Sequence, residues 1–218
     1  RATERDGCMS FIERVTTGRA GIALRLAAAI LAGVLGSVAF SVAAANWFLL
    51  VALAVLFLAT VRTETKKEGF AVGWLWGLAF FSIGLRWCYG SLHGHGQLPA
   101  VLSVAAIVLL AGVLALFIGA VTGLTRAFPI SRRLKLIVLL PTLWSVFELL
   151  RGVEPAGFGW LSIGYAYSTD FFGAWAPLAG VYGVGFVVVW PWSCCFPPKI
   201  KSRGSKRWTP LRLALWLW

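Results

Sequence analysis

Apolar runs about as long as a membrane is thick constrain the fold of this sequence more than any motif does. Helical runs of about twenty apolar residues cross the hydrocarbon layer of a bilayer. The charged fraction of 13% is about half that of ordinary soluble domains. The sequence therefore predicts an all-α integral membrane protein with about six transmembrane helices, at residues 21–44, 46–61, 70–89, 99–124, 134–150 and 172–192.

The basic residues alternate with these runs. Eighteen of the twenty Lys and Arg residues lie before or at the start of the first run, between the second and third, between the fourth and fifth or at the start of the fifth, or after the sixth. Because Lys and Arg concentrate in cytoplasmic loops, we expect both termini to be cytoplasmic. The same alternation argues against nucleic acid as the partner behind the net charge of +12, since a nucleic-acid interface gathers its cations on one surface.

The runs also predict three regions. Residues 1–20 form a cytoplasmic N-terminal segment, residues 21–192 the helical membrane domain, and residues 193–218 a basic cytoplasmic tail. Met9 opens a stretch that resembles a natural start, so residues 1–8 are left out of the fold prediction as non-native. The first run is too long for a signal peptide and lacks a small-residue cleavage site.

Two arginines break the charge rule near the predicted outer surface. Arg86 lies late in the third run, and Arg151 follows Glu148 by three residues at the end of the fifth. Residues at this spacing share a helix face, and ionisable groups inside a bilayer suggest function. Arg86 fits a side chain that reaches the headgroups as well as a functional one. Glu148 and Arg151 fit either a structural ion pair or the polar edge of a groove for a lipid headgroup.

The outer segment at residues 152–171 is too apolar for a simple solvated loop. It contains GFGWLSIGYAY, whose glycines permit sharp turns. Non-helical backbone at membrane depth needs a cover of protein or a water-filled cavity. We therefore predict either a re-entrant segment or a loop packed on the helices.

Neither a metal site nor a catalytic cysteine is predicted. His93 and His95 lie in a glycine-rich turn without further ligands, which rarely suffices for a metal. The four cysteines show neither metal-ligand spacing nor a disulfide framework. No catalytic residue is assigned, and no cofactor is expected.

Ordered motifs, the first of them in the third run, make the chain resemble the membrane domain of bacterial apolipoprotein N-acyltransferases. The third run and its loop read GWLWGLAFFSIGLRWCYGSLHGHGQLP. The later motifs match Pro141, Trp144, Glu148 and Arg151-Gly152, then Gly157, Phe158, Trp160, Leu161, Gly164 and Tyr165, then Gly180, Tyr182, Gly183 and Phe186. The resemblance spans residues 9–189 and departs from the family pattern at Gly159, where the family has Pro.

The resemblance implies an acyltransferase of the bacterial inner membrane that acts in lipoprotein biosynthesis. In that family, a Cys of a nitrilase-like domain, assisted by Glu and Lys, takes an acyl chain from a membrane phospholipid. It passes this chain to the N-terminal diacylglyceryl-cysteine of a lipoprotein. The resemblance implies that Phe158, Trp160 and Tyr165 bind near the acyl chains, with Glu148 and Arg151 at the polar edge of the groove.

The same resemblance places the catalytic domain after a seventh helix. Here the family pattern ends at about residue 189, and the tail closes with LRLALWLW. We therefore expect a truncated or frameshifted chain that carries the start of the seventh helix and is inactive alone.

Two other classes of function stay open from the residues. A small transporter or channel also places ionisable residues inside helical bundles, although no internal repeat is evident and the charges lie near one edge. A non-catalytic membrane scaffold has support only from the small-residue faces at Gly33, Gly36, Gly77 and Gly84. Such faces serve contacts within one bundle equally well.

Overall fold

The computed structural model describes residues 18–42, 45–131, 134–153 and 157–195, and every regular element within these ranges is helical. Most of the predicted N-terminal segment and basic tail, including the start of a seventh helix, lie outside the described residues. The long helices are α1 (Gly18–Val38), α2 (Asn46–Arg62), α3 (Lys66–Gly84), α4 (Ala100–Ala127), α5 (Leu140–Gly152) and α6 (Ala176–Cys195). Short helical turns lie at Trp87–Tyr89, Gly90–His95, Lys135–Leu139, Ile163–Ala166 and Phe171–Trp175.

The length and apolar character of these helices are those of a membrane protein. Among the described residues, α1, α4 and the stretch Phe171–Trp190 are long and apolar enough to cross a membrane. The pair α3 and Trp87–His95, bent by 53°, makes a fourth candidate. The α2 helix is apolar but has only 17 residues, and α5 has 13. Three or four spans are therefore supported by length, and the count of six stays a prediction.

Large apolar side chains face outward along the longest helices. Leu31 of α1 is 71% exposed, and Val101 and Leu109 of α4 are 79% and 71% exposed. Monomeric soluble proteins rarely present broad apolar surfaces of this kind to water. These side chains are suited to contact with lipid acyl chains.

Several helix ends differ from the predicted ones. The α1 helix ends at Val38, six residues early, and α3 ends at Gly84, where the chain bends. The α6 helix begins at Ala176 and is broken at Gly180. The φ of 64° at Gly180 is a conformation that only glycine adopts without strain. The predicted sixth run is thus two helical pieces joined at the first glycine of its GVYG motif.

Small residues let α3 pack closely against its neighbours. Gly77 of α3 lies so near α4 that an added Cβ would be 3.0 Å from the Cα of Ala115. Gly33 of α1 lies against the backbone of Trp76 in the same manner. Gly36 and Gly84 likewise contact neighbouring segments of this chain. All four glycines therefore make contacts within the bundle.

The basic end of the bundle is held by a capped helix and an ion pair. The Thr65 hydroxyl accepts a hydrogen bond from the Glu68 backbone N–H at 3.1 Å, a capping arrangement that satisfies a free donor of the first helical turn. The Glu68 carboxylate also accepts from the Glu64 N–H at 2.8 Å and from Arg25 Nε at 2.7 Å. Thr65 therefore caps α3, and Glu68 joins α3 to α1.

At the opposite end, the segment at residues 157–175 packs on the helices. The Tyr167 hydroxyl donates to the Asn46 carbonyl at 2.7 Å, while the Asn46 amide donates to the Ala166 carbonyl at 3.3 Å and to Asp170. Burial, together with the nearby Asp170 charge, raises the pKa of the Tyr167 phenol above its usual range, so this group remains a donor at neutral pH. The described part of the predicted outer segment is thus anchored to the start of α2.

Candidate functional site

Glu148 and Arg151 lie buried on one face of α5. Their exposed fractions are 6% and 2%. Both side chains are buried on the same side of the helix, as residues spaced three apart are expected to be. The distance from Arg151 Nη2 to Glu148 Oε1 is 3.9 Å, longer than a hydrogen bond. The two charges attract each other, but each makes its close contacts elsewhere.

Arg151 binds the backbone of the aromatic segment that follows α5. Its Nη1 donates to the carbonyl oxygens of Phe158 and Trp160, both at 2.7 Å. Its Nη2 donates to the Ser162 hydroxyl at 2.9 Å, and that hydroxyl donates to the Gly159 carbonyl at 2.8 Å. The guanidinium also lies 5.2 Å from the centre of a phenyl ring on α3. Arg151 therefore satisfies backbone acceptors that apolar surroundings would otherwise leave unpaired.

Glu148 binds the backbone of the same segment a few residues later. Its Oε1 accepts a hydrogen bond from the Ile163 N–H at 2.7 Å, at the start of the short helix Ile163–Ala166. Between the two charged contacts, Leu161 has a φ of 61°, a left-handed conformation that costs free energy in a bulky residue. The two α5 side chains hold the chain on either side of this strained residue.

A narrow, mostly apolar cleft with a volume of about 20 Å³ adjoins the two charged groups. Aromatic side chains of α3, α4 and α5 form much of its wall, and the indole N–H of Trp144 lies beside the Glu148 carboxylate. The lining residues are Trp76, Phe80, Phe81, Phe117, Ile118, Val121, Trp144, Phe147, Glu148, Arg151, Leu161 and Ile163. An apolar chamber with a few polar groups at one edge is typical of a site for a largely apolar ligand.

The three aromatic residues predicted to bind near acyl chains, Phe158, Trp160 and Tyr165, do not all contact one another. Phe158 and Trp160 pack edge to face with ring centres 5.2 Å apart, and Trp160 contacts Trp87 at 6.0 Å. Trp160 is 59% exposed, so this cluster offers an open aromatic surface. Tyr165 is 53% exposed and lies outside the cluster. The structure thus groups Glu148, Arg151, Phe158 and Trp160 and leaves Tyr165 apart.

Sequence reasoning missed Ser162 and Trp87. Ser162 is fully buried, and the signal was available, because it is the only small polar side chain between Phe158 and Tyr165. Trp87 resembled an interfacial anchor, and nothing in its local sequence indicated a partner seventy residues later. Arg86, which fitted two interpretations, is exposed and lies outside this hydrogen-bond network.

The two histidines make contacts within their own turn. His93 Nδ1 lies 2.7 Å from the Leu98 carbonyl, and His95 Nδ1 lies 3.3 Å from the Gly90 carbonyl. Both contacts join a side chain to nearby backbone. They support the assignment of this loop to turn chemistry.

Comparison with known proteins matches the part of the chain that contains this site. The family model described as the apolipoprotein N-acyltransferase N-terminal domain matches residues 32–193. An apolipoprotein N-acyltransferase of Pasteurella multocida is 37% identical over 164 residues, which cover 74% of this chain and 30% of the relative. One from Ralstonia nicotianae is 37% identical over 167 residues, covering 74% of this chain and 32% of the relative.

A third relative, from Coxiella burnetii, is 34% identical over 173 residues, covering 77% of this chain and 35% of the relative. The chain therefore spans about a third of the length of these relatives. The matched residues include the whole site described above. The chain belongs to the apolipoprotein N-acyltransferase family, whose N-terminal membrane domain it contains.

Proposed function

We propose that this chain is the membrane part of an enzyme that transfers an acyl chain from a phospholipid to the N-terminal diacylglyceryl-cysteine of a lipoprotein. The observation that carries the proposal is the clamp formed by Arg151 and Glu148. This clamp fixes an exposed aromatic surface beside an apolar cleft. Its residues lie within the stretch that matches the family model, residues 32–193.

Within this function, the charged pair and the aromatic pair have different roles. Three of the five N–H groups of Arg151 bond the segment it holds, so we assign it and Glu148 as positioning residues at the polar edge of the groove. Phe158 and Trp160 supply a surface that an acyl chain contacts, and the exposed Tyr165 would contact the lipid separately from this cluster. The membrane domain then guides the donor lipid, while the nucleophile, general base and lysine belong to the nitrilase-like domain of the family.

The topology that suits this role has six spans with both termini in the cytoplasm. The basic residues of the loops favour it, and the Glu148–Arg151 site then opens towards the outer leaflet of the inner membrane. Cysteine accessibility measured from each side of sealed vesicles tests this orientation. Labelling of a cysteine introduced at Gly94 from the cytoplasmic side would contradict it.

The aromatic surface is tested in a full-length relative by replacing the residue that aligns with Trp160 by alanine. Because Trp160 is 59% exposed, the fold should be kept while the KM for phospholipid rises by about tenfold, as loss of a well-placed aromatic contact predicts. The matched control is the residue aligning with Trp47, which is 55% exposed and outside the cluster. Equal effects of the two substitutions would refute the groove.

The 218-residue chain itself should not acylate a diacylglyceryl lipopeptide, because the family's catalytic residues lie in the other domain. Product formation is measured by mass spectrometry of the lipopeptide, with a full-length relative as the positive control. Turnover above background by the purified chain would contradict this proposal.

A further inference from the structure

A second cavity lies at the basic end of the bundle, away from the Glu148–Arg151 site. The ends of α2 and α4 and the helical turn before α5 surround it, and its volume is about 100 Å³. Its lining residues are Thr60, Val61, Thr125, Arg126, Ile130 and Lys135. The cavity thus brings two cations together with no carboxylate among its lining residues.

The two cations make close contacts only with backbone oxygens among the described residues. Lys135 is 7% exposed, and its Nζ donates to the Arg126 carbonyl at 3.3 Å. Arg126 Nη2 donates to the Glu64 carbonyl at 3.4 Å. Neither side chain forms an ion pair within the described part of the chain. A buried positive charge without a counter-charge is costly, so the cavity favours an anion.

The hydrogen-bond donors of the cavity that are not used by its own backbone contacts determine which anion fits. The Thr60 hydroxyl donates to the Leu56 carbonyl at 2.8 Å, and the Thr125 hydroxyl to the Val121 carbonyl at 2.7 Å. Their protons are therefore already used. An ammonium has three N–H groups and a guanidinium five, so Lys135 and Arg126 retain most of theirs. Such a set, all donors and all positive, matches the oxygens of a phosphate.

We propose that this cavity binds a phosphate group between Lys135 and Arg126. Basic pockets between transmembrane helices are suited to phospholipid headgroups, and free phosphate offers the same chemistry. The site is separate from the groove of the proposed acyl transfer, because it lies at the other end of α5. Its test is therefore independent of acyltransferase activity.

The test is titration calorimetry on the 218-residue chain in detergent micelles. The probes are dihexanoylphosphatidylglycerol and, separately, inorganic phosphate. Lys135→Gln and Arg126→Gln should each weaken binding by about tenfold or more, the loss expected for one charge-assisted hydrogen bond. Lys135→Arg should retain binding. The matched control is Lys66→Gln, since Lys66 is exposed on α3 and does not line the cavity.

The two probes distinguish the sources of the phosphate. If the substitutions at Lys135 and Arg126 weaken lipid binding alone, the cavity is a site for a lipid headgroup. If they weaken phosphate binding alone, it is a site for free phosphate. If they weaken both, the cavity recognises the phosphate group from either source. Each result supports the proposal. Circular dichroism confirms folding, and the half-buried Arg126 provides a variant if the Lys135 variant unfolds. Absence of binding to the unsubstituted chain, or unchanged affinity in folded variants, overturns it.

Discussion

Removal of the Arg151 guanidinium should strongly destabilise the end of the bundle that carries the Glu148–Arg151 site. The Arg151→Met substitution removes three hydrogen bonds, two to carbonyls and one to Ser162. At about 1 kcal/mol each, as for polar contacts between membrane helices, they contribute about 3 kcal/mol. The Glu148 carboxylate also loses its counter-charge at 3.9 Å. Removing one partner of a buried charge pair costs about 3–5 kcal/mol in all. The hydrogen-bond figure lies within this range and is not added to it, so a loss of about 3–5 kcal/mol is expected.

The measurement is reversible unfolding of the chain in mixed micelles, followed by circular dichroism. Arg86→Met is the matched control, because Arg86 is exposed at the same end and should change the free energy of unfolding by less than about 0.5 kcal/mol. The double variant Glu148→Gln with Arg151→Met should lose less than the sum of the single losses, since no buried charge remains. A loss below about 1 kcal/mol for Arg151→Met would refute the clamp.

Two further substitutions test how the outer segment is anchored, with the same unfolding assay. In Gly164→Ala the new methyl group would press on the Val181 carbonyl, so the free energy of unfolding should fall by about 2 kcal/mol. The control is Gly94→Ala, which should be neutral because the space around Gly94 is open. Equal stability of the two variants would contradict the packing of Gly164 against Val181. Tyr167→Phe removes the bond to the Asn46 carbonyl and should cost about 1 kcal/mol; no change would show that this bond is dispensable.

Features that depend on local sequence could be predicted. The apolar runs located α2 and α4 within a few residues, because hydrophobicity and helix length are properties of a short stretch. The shared face of Glu148 and Arg151 followed from their spacing alone. The family resemblance also came from motifs along the chain, and the match over residues 32–193 confirms it.

Features that depend on the path of the chain in space could not be predicted. The partners of Arg151 are carbonyl oxygens, and every residue carries one, so no side-chain pattern marks them. The break at Gly180 lies within an unbroken apolar run, where hydropathy gives no sign of it. The pairing of Lys135 with the end of α4 depends on how α5 returns to the bundle.

The clamp binds its segment through the main chain: at Phe158 and Trp160 the acceptors of the Arg151 hydrogen bonds are carbonyl oxygens and not side chains. Arg151 would find the same two carbonyls whatever residues stood at 158 and 160. The exposed side chains of this segment can therefore change during evolution while the course of the main chain is preserved. If this surface contacts acyl chains as proposed, a lineage that meets lipids of different chain length or saturation could reshape it by single substitutions, without rebuilding the part of the bundle that supports it.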